Sequence, residues 1–444
     1  MTMPADAVTL DAIRACLEGV IPATVATCSA DGVPNATYVS QMQYVDPRHV
    51  ALSFQFFNKT RENILANPQA TALVVDPQSG AAYRLALLYL RTETAGALFQ
   101  SLKAKLAGIA SHTGMSAVFK LQGADVYRVL AVERVPNRAR ERPPPRRNLL
   151  NALRTASAQL AECTQLETLF DQTLALLGSE FDIAHALLLM ADESQQRLFT
   201  VGSRGYAATG VGSEIAFGDG VIGVAAQYRT PIRISHMTLE YAYGALSQSL
   251  PLEAQIPFPG LALPHSQLAV PILAAGRLLG VLCVESPLDL RFSYDDEDAL
   301  VSLGAQLGAL IRALQTDGEV AIAADSVAAV RAPAGEPIEV RHYRANDSIF
   351  IGGDYLIKGV PGAILWKLLR SSVEGGRCDF TNRELRMAPE LRLPEVSDNL
   401  EARLILLQRR LAERCPHLAI EKTGRGQFRL QVSRALRLVE ADPA

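Results

Sequence analysis

Residues 54 to 63, Phe-Gln-Phe-Phe-Asn-Lys-Thr-Arg-Glu-Asn, pass from an aromatic strand-like run into an amide, two cations, a hydroxyl and a second amide. Asn58, Lys59 and Thr60 open a short helical pattern, and the first backbone N–H groups of a helix have no intrahelical partner. Those donors, the positive end of the helix dipole and an adjacent Lys and Arg together form an anion site, best suited to a phosphate. An ordinary helix start beside surface cations has the same residues, so both readings stand on physics alone. A second cationic group lies near the C-terminal end: Arg403 and Arg410 on a long helical pattern, then Lys422, Arg425 and Arg429 on a hairpin pattern. The stretch after about residue 337 is net basic and the remainder correspondingly acidic, which points to an anionic partner for that part.

The elements that must position these groups fall into three blocks. A chain of 444 residues exceeds one ordinary core. Breaks at 138–148, rich in Pro and Arg, and at 316–337, rich in Ala with little periodicity, divide it into 1–137, 149–315 and 338–437. With 49% apolar and 20% charged residues the composition is that of a soluble globular protein. The N-terminus has acids where a secretory signal needs a basic region, and no apolar run has bilayer length, so a cytosolic location and no membrane contact are expected. Six cysteines and seven histidines are dispersed without metal-ligand spacing, and no catalytic base or nucleophile stands out. His185, His236 and His265 read as satisfied core or surface residues.

In the first block, short apolar runs (ATVATCSA, NATYVSQMQYV, HVALSFQFF, TALVVDP, YRLALLYLRTE) separated by turn signals predict a small β-barrel. The order VATCSADGVPNATYVSQMQYVD then HVALSFQFFNKTRENILANPQATALVVDP resembles the FMN-binding split barrel of the pyridoxamine 5'-phosphate oxidase-like family, over most of residues 15–135. The resemblance implies FMN, with its phosphate at Lys59 and Thr60 helped by Asn58, Arg61 and Asn63, and with Ser53, Phe54, Gln55, Phe56 and Phe57 along the ring. It also implies a homodimer that builds the flavin site across two subunits. The chain departs from the oxidases' Ser-Arg-Lys type signature. Members of that superfamily also hold haem or a deazaflavin, and His112 is the residue that a haem would draw on.

In the second block, Leu149, Leu153, Ala156, Leu160 and Cys163 form one apolar seam on a helix, suited either to its own domain or to a partner helix. Farther on, QLAVPILAAGRLLGVLCVES reads as an antiparallel hairpin turning at AAGR, and Ser293 with Asp296 as the cap of a final helix. GVGSEIAFGDGVIGVAAQYRTPIRIS, LAVPILAAGRLLGVLCVES and FSYDDEDALVSLGAQLGALI resemble a GAF domain over about 160–312. That implies an α/β sandwich around an antiparallel sheet with a pocket for a small ligand that the sequence does not identify.

In the third block, SIFIGGDYLIK reads as a hairpin, GAILWKLLRSS as an amphipathic helix, Thr381 with Glu384 as a capping box, and DNLEARLILLQRRLAERCP as a long helix before a second hairpin. This order resembles an OmpR-like winged-helix domain over nearly all of 348–431. Leu400, Leu404, Leu407 and Leu411 occupy the core stripe. Asn399, Arg403, Leu406 and Arg410 are left on another stripe, where an amide and two guanidiniums suit a DNA major groove, while Lys422, Arg425 and Arg429 suit phosphates. The expected chain is a multidomain α+β protein: split barrel, GAF domain, winged helix. Its expected function is a flavin- or small-ligand-responsive sensor that regulates transcription through DNA. A flavin-dependent oxidoreductase regulated by its GAF domain and a protein-interaction scaffold are the competing readings.

Overall fold

The computed structural model describes residues 8–39, 41–55, 59–112, 121–141, 147–235, 256–317, 336–391, 400–424 and 426–441. The first domain is a seven-stranded, barrel-like antiparallel sheet in the order β2-β1-β5-β6-β7-β4-β3. Its strands are β1 (Ala23–Cys28), β2 (Pro34–Val39), β3 (Met42–Asp46), β4 (His49–Phe54), β5 (Gln69–Val75), β6 (Ala82–Glu93) and β7 (Gly123–Val135). Helix α1 (Lys59–Ala66) follows β4, and α2 (Ala97–His112) follows β6. Along β1 and β5 burial alternates, with Ala23, Val25, Ala70, Ala72 and Val74 pointing into one core, as the two-residue period of a half-buried strand requires.

The central domain comprises α3 (Leu149–Ala161), α4 (Leu166–Ser179), β8 (His185–Asp192), β9 (Arg197–Arg204), β10 (Glu214–Ala216), α5 (Gly220–Tyr228), β11 (Ile232–Ile234), β12 (Ser266–Ala274), β13 (Arg277–Ser286) and α6 (Tyr294–Asp317). Its six strands lie in the order β10-β9-β8-β13-β12-β11. The middle strands are buried on both faces, so they read as near-continuous apolar runs. Leu188, Met190, Val270 and Leu282 pack with α3, α4 and α6 on one side, whereas Leu187, Leu189, Ala269 and Val281 pack with α5 on the other. The β12–β13 turn places Ala275 and Gly276 at φ 47° and 76°, the pair of positive φ values that a tight type I′ hairpin needs. Helix α6 begins in a reciprocal cap: the Ser293 N–H donates to Asp296 Oδ2 at 2.9 Å, and the Asp296 N–H to Ser293 Oγ at 3.3 Å. The α3 seam packs within this domain, where Ser157 Oγ and Gln306 Oε1 of α6 lie 2.6 Å apart.

The C-terminal domain holds β14 (Ile338–Tyr343), β15 (Ser348–Ile351), β16 (Asp354–Ile357), α7 (Gly359–Gly375), β17 (Asp379–Thr381), α8 (Asn382–Arg386), α9 (Leu400–Arg414), β18 (Leu418–Gly424), β19 (Gln427–Val432) and β20 (Leu436–Ala441). β15 and β16 pair as a hairpin, and β14 joins β20 in parallel at the far edge of the same four-stranded sheet. Thr381 caps α8 in a complete capping box with Glu384. A single hydrophobic cluster runs from the central domain into this one without a break.

The barrel is also seated on the central domain. Tyr294, the first residue of α6, belongs to the barrel's own core cluster, and its hydroxyl accepts the Tyr44 N–H at 3.1 Å. The Arg233 side chain, 1% exposed, pairs with Glu297 at 2.7 Å and with Glu18 of the barrel, while its guanidinium lies 4.3 Å from the Tyr294 ring centroid. Lys105 of α2 is buried beside the same ring.

Candidate functional site

The barrel carries a cleft of ≈ 570 Å³, counted out to its open mouth, between β1, β2, β4, α1 and β7. Val25, Val39, Leu52, Ile64 and Phe54 supply apolar walls, and Ser53, Gln55, Thr60, Arg61 and Asp125 the polar groups. Strand β4 delivers Ser53 and Phe54 at its end, and the first turn of α1 delivers Thr60 and Arg61.

Arg61 is the most constrained of these groups. Its Nη1 lies 2.6 Å from Asp125 Oδ1, and its guanidinium stacks 4.7 Å from the Phe54 ring centroid and 5.6 Å from that of Tyr89. Burial pushes the Asp125 carboxyl above its ordinary range, against the pull of hydrogen bonds from Thr92 and Arg61. Thr60 Oγ1 accepts from Asn35 Nδ2 at 2.8 Å, which leaves its own proton to donate elsewhere. Gln55 is 6% exposed, and its Oε1 has no hydrogen-bond partner. A buried acceptor left in that state is costly.

Of the sequence-expected cofactor residues, Ser53, Phe54, Gln55, Thr60 and Arg61 come together on this cleft. Lys59 is exposed and does not line it. Asn63 turns the other way: it is 2% exposed and donates to Thr27 Oγ1 at 3.1 Å, so it ties α1 to β1. Phe56, Phe57 and Asn58 lie outside the described residues, as does the side chain of His112. Sequence reasoning missed Asp125 and Tyr38, which line the cleft, and Asn35, which holds Thr60; they come from strands distant in the chain and carry no local signal. The donor set and the orphaned acceptor fit an FMN: Thr60 and Arg61 would hold the phosphate, and Ser53, Phe54 and Gln55 would lie along the ring. A bound flavin would supply electron-transfer chemistry, and these residues would bind and orient it.

The C-terminal cationic group is largely covered in this structure. Leu400, Leu404, Leu407 and Leu411 are buried as the core stripe, but the second stripe is buried too. Arg403 and Arg410 are 3% and 4% exposed and face the interior of the chain, away from solvent. Arg403 Nη2 pairs with Asp192 Oδ2 of β8 at 2.8 Å; Arg410 Nε donates to the Leu356 carbonyl at 3.1 Å. Leu406 is 2% exposed. Lys422 reaches Gln165 at 3.4 Å, and Arg429 makes a two-point contact with Asp379 at 2.7 and 3.0 Å. Asn399 and Arg425 lie outside the described residues.

Among the described residues there is no cluster of three or more His, Cys, Asp or Glu able to hold a metal ion, and no helix long and apolar enough to cross a membrane. The six cysteines form no disulfide. His185 packs beside Tyr206 and His265 lies 3.3 Å from Asp289, while His236 is outside the described residues.

No curated protein matches the chain. Among solved structures, the chain is similar to the GAF domain of an Acinetobacter phosphoenolpyruvate-protein phosphotransferase, with 22% identity, 39% of this chain and 97% of that one covered, and a TM-score of 0.33. It is similar to a free methionine-R-sulfoxide reductase of Neisseria meningitidis at 22% identity, covering 38% and 91% of the two chains with a TM-score of 0.31. An FMN-binding protein of Syntrophomonas wolfei subsp. wolfei is 16% identical, with 28% and 84% covered and a TM-score of 0.24. Residues 9–133 match the family model described as pyridoxamine 5'-phosphate oxidase, and residues 165–311 match the model described as GAF domain. The chain thus joins a pyridoxamine 5'-phosphate oxidase-like domain to a GAF domain.

Proposed function

We propose that the protein is a flavin-responsive sensor with a DNA-binding output. The barrel holds FMN, the GAF domain takes a second small ligand or relays the signal, and the C-terminal domain acts as a winged helix on double-stranded DNA. The observation that carries the flavin assignment is the cleft lined together by Ser53, Gln55, Thr60 and Arg61, with the Gln55 Oε1 buried and partnerless in its wall. The barrel's seating on the central domain through Arg233 and Tyr294, and the hydrophobic cluster shared with the C-terminal domain, support a signal passing along the chain. A ligand acts on such a system only through unequal affinity for two arrangements of the domains.

The test is an absorption spectrum of the purified protein, alone and after incubation with FMN, beside the same spectra for a Thr60→Ala, Lys59→Ala double variant. A flavin spectrum in the wild type that weakens in the variant is the expected result. A protein that stays colourless with added FMN overturns the reading, and a Soret band moves the assignment to haem. NAD(P)H-dependent turnover by the coloured protein would place it with the oxidoreductases instead.

A further inference from the structure

Helix α9 and the residues around it are held against the central domain by polar contacts, most of which have the same sense. Arg403 meets Asp192 in a pair whose side chains are 4% and 7% exposed. Arg409 donates to the Val201 carbonyl at 2.7 Å and to Asp171 Oδ1 at 2.7 Å. Lys358 meets Glu214 at 3.3 Å, and Thr209 bonds Glu413. Apart from Thr209–Glu413, where the acid is on α9, cations of the C-terminal domain thus face carboxylates or a carbonyl of the central domain, from α4, β8, β9 and β10. Burial opposes ionisation of Asp192, yet Arg403 and the hydrogen bonds from Ser194 and Gln195 draw its carboxyl below the ordinary range.

Carboxylate oxygens set against guanidinium groups offer the chemistry that phosphate oxygens offer in a nucleic acid backbone. The central domain and a DNA duplex would therefore compete for the same side chains. We propose that docking of α9 on the central domain is an autoinhibitory contact, with Asp192–Arg403 as its latch, and that DNA is bound only by the undocked helix. This inference rests on the DNA-binding reading given above. If the docked arrangement dominates, the apparent DNA affinity falls in proportion to the undocked fraction, and any change that frees the helix raises it by the same factor. By reciprocity, DNA then loosens the docking.

Asp192→Asn keeps an acceptor for Ser194 and Gln195, which both bond Oδ1, while it removes the charge opposite Arg403. Gly202→Ala changes no charge; a Cβ there would stand 2.9 Å from Arg409 Nη1 and from Leu174 Cδ1, so the Arg409 side chain and its bond to the Val201 carbonyl must shift. Both variants are made in the full chain. Hydrogen exchange over 400–414 reports docking, and retention of a mixed-sequence DNA duplex at graded salt reports binding. Faster exchange together with DNA affinity raised by about tenfold or more in either variant is the expected result. A parallel salt dependence in the uncharged Gly202→Ala variant shows that the gain is not the mere loss of an acid. If the helix is freed but a wild type that binds DNA gains nothing, the latch is overturned and the DNA reading stands. If neither wild type nor freed variants retain DNA, the DNA reading fails and the latch with it. Unchanged exchange in both variants rejects Asp192–Arg403 as the holding contact.

Discussion

Arg233 and Glu18, 215 residues apart in the chain, form an ion pair across the boundary between barrel and central domain, and Glu297 holds the same guanidinium from the other side. Removing one acid leaves a buried cation short of countercharge, and breaking a buried pair this way costs about 3–5 kcal/mol. Glu18→Ala is expected to split thermal unfolding into two transitions, with the barrel melting apart from the central domain. A single transition at the wild-type temperature, followed by calorimetry, would show that the pair does not join the domains.

Lys105 sits beside this pair, and burial, with the nearby positive charge of Arg233, pulls its ammonium down to about 8. The folded-state value is below the unfolded one of 10.5, so between them the unfolded chain binds more protons and stability rises with pH. The contribution is complete above 10.5 and is lost as pH falls through about 8. Lys105→Met is expected to flatten the stability profile between those values, read by chemical denaturation at a series of pH values. Equal slopes in both proteins would contradict the burial of this charge.

In the barrel cleft, Gln55→Leu removes the orphaned acceptor with little change in size. One neutral hydrogen bond contributes about 0.5–1.5 kcal/mol, so FMN retention is expected to weaken about 2- to 12-fold while the melting temperature of the apoprotein holds or rises. Titration of FMN by fluorescence quenching measures the first, and a thermal melt the second. Unchanged affinity would place the flavin ring elsewhere.

Thr381 caps α8 in reciprocal hydrogen bonds with Glu384. Thr381→Ala is expected to cost about 1 kcal/mol and Thr381→Ser much less, because only the hydroxyl is needed. Equal losses in both variants, measured by denaturant unfolding, would mean that the methyl group matters instead.

That capping box was legible because its residues lie three apart, and so was the β12–β13 turn, where an Ala-Gly pair interrupts two apolar runs. The leucines of α9 were legible by their period. The fate of its arginines was not. Arg403 is answered by Asp192, 211 positions earlier, and a helical wheel separates an apolar stripe from a polar one without telling whether another domain covers the polar one. Arg233 had the same opacity: within TPIRIS it reads as an ordinary strand residue, yet it is almost completely enclosed. At the barrel cleft, Ser53, Phe54, Gln55, Thr60 and Arg61 lie within nine positions, where the sequence changes abruptly from aromatic to polar. Asp125 and Asn35 arrive through β-sheet register, which a short window of sequence does not contain.

The parallel pairing of β14 with β20 has a temporal meaning. The C-terminal domain's first strand waits for its last: Ile338 finds Leu436 only after the intervening residues have been synthesised. Domains generally fold in order of synthesis. All the strands of the barrel and of the central domain are therefore made before the C-terminal sheet can close, while the hydrophobic cluster that the central domain shares with it is completed only by the last residues of the chain.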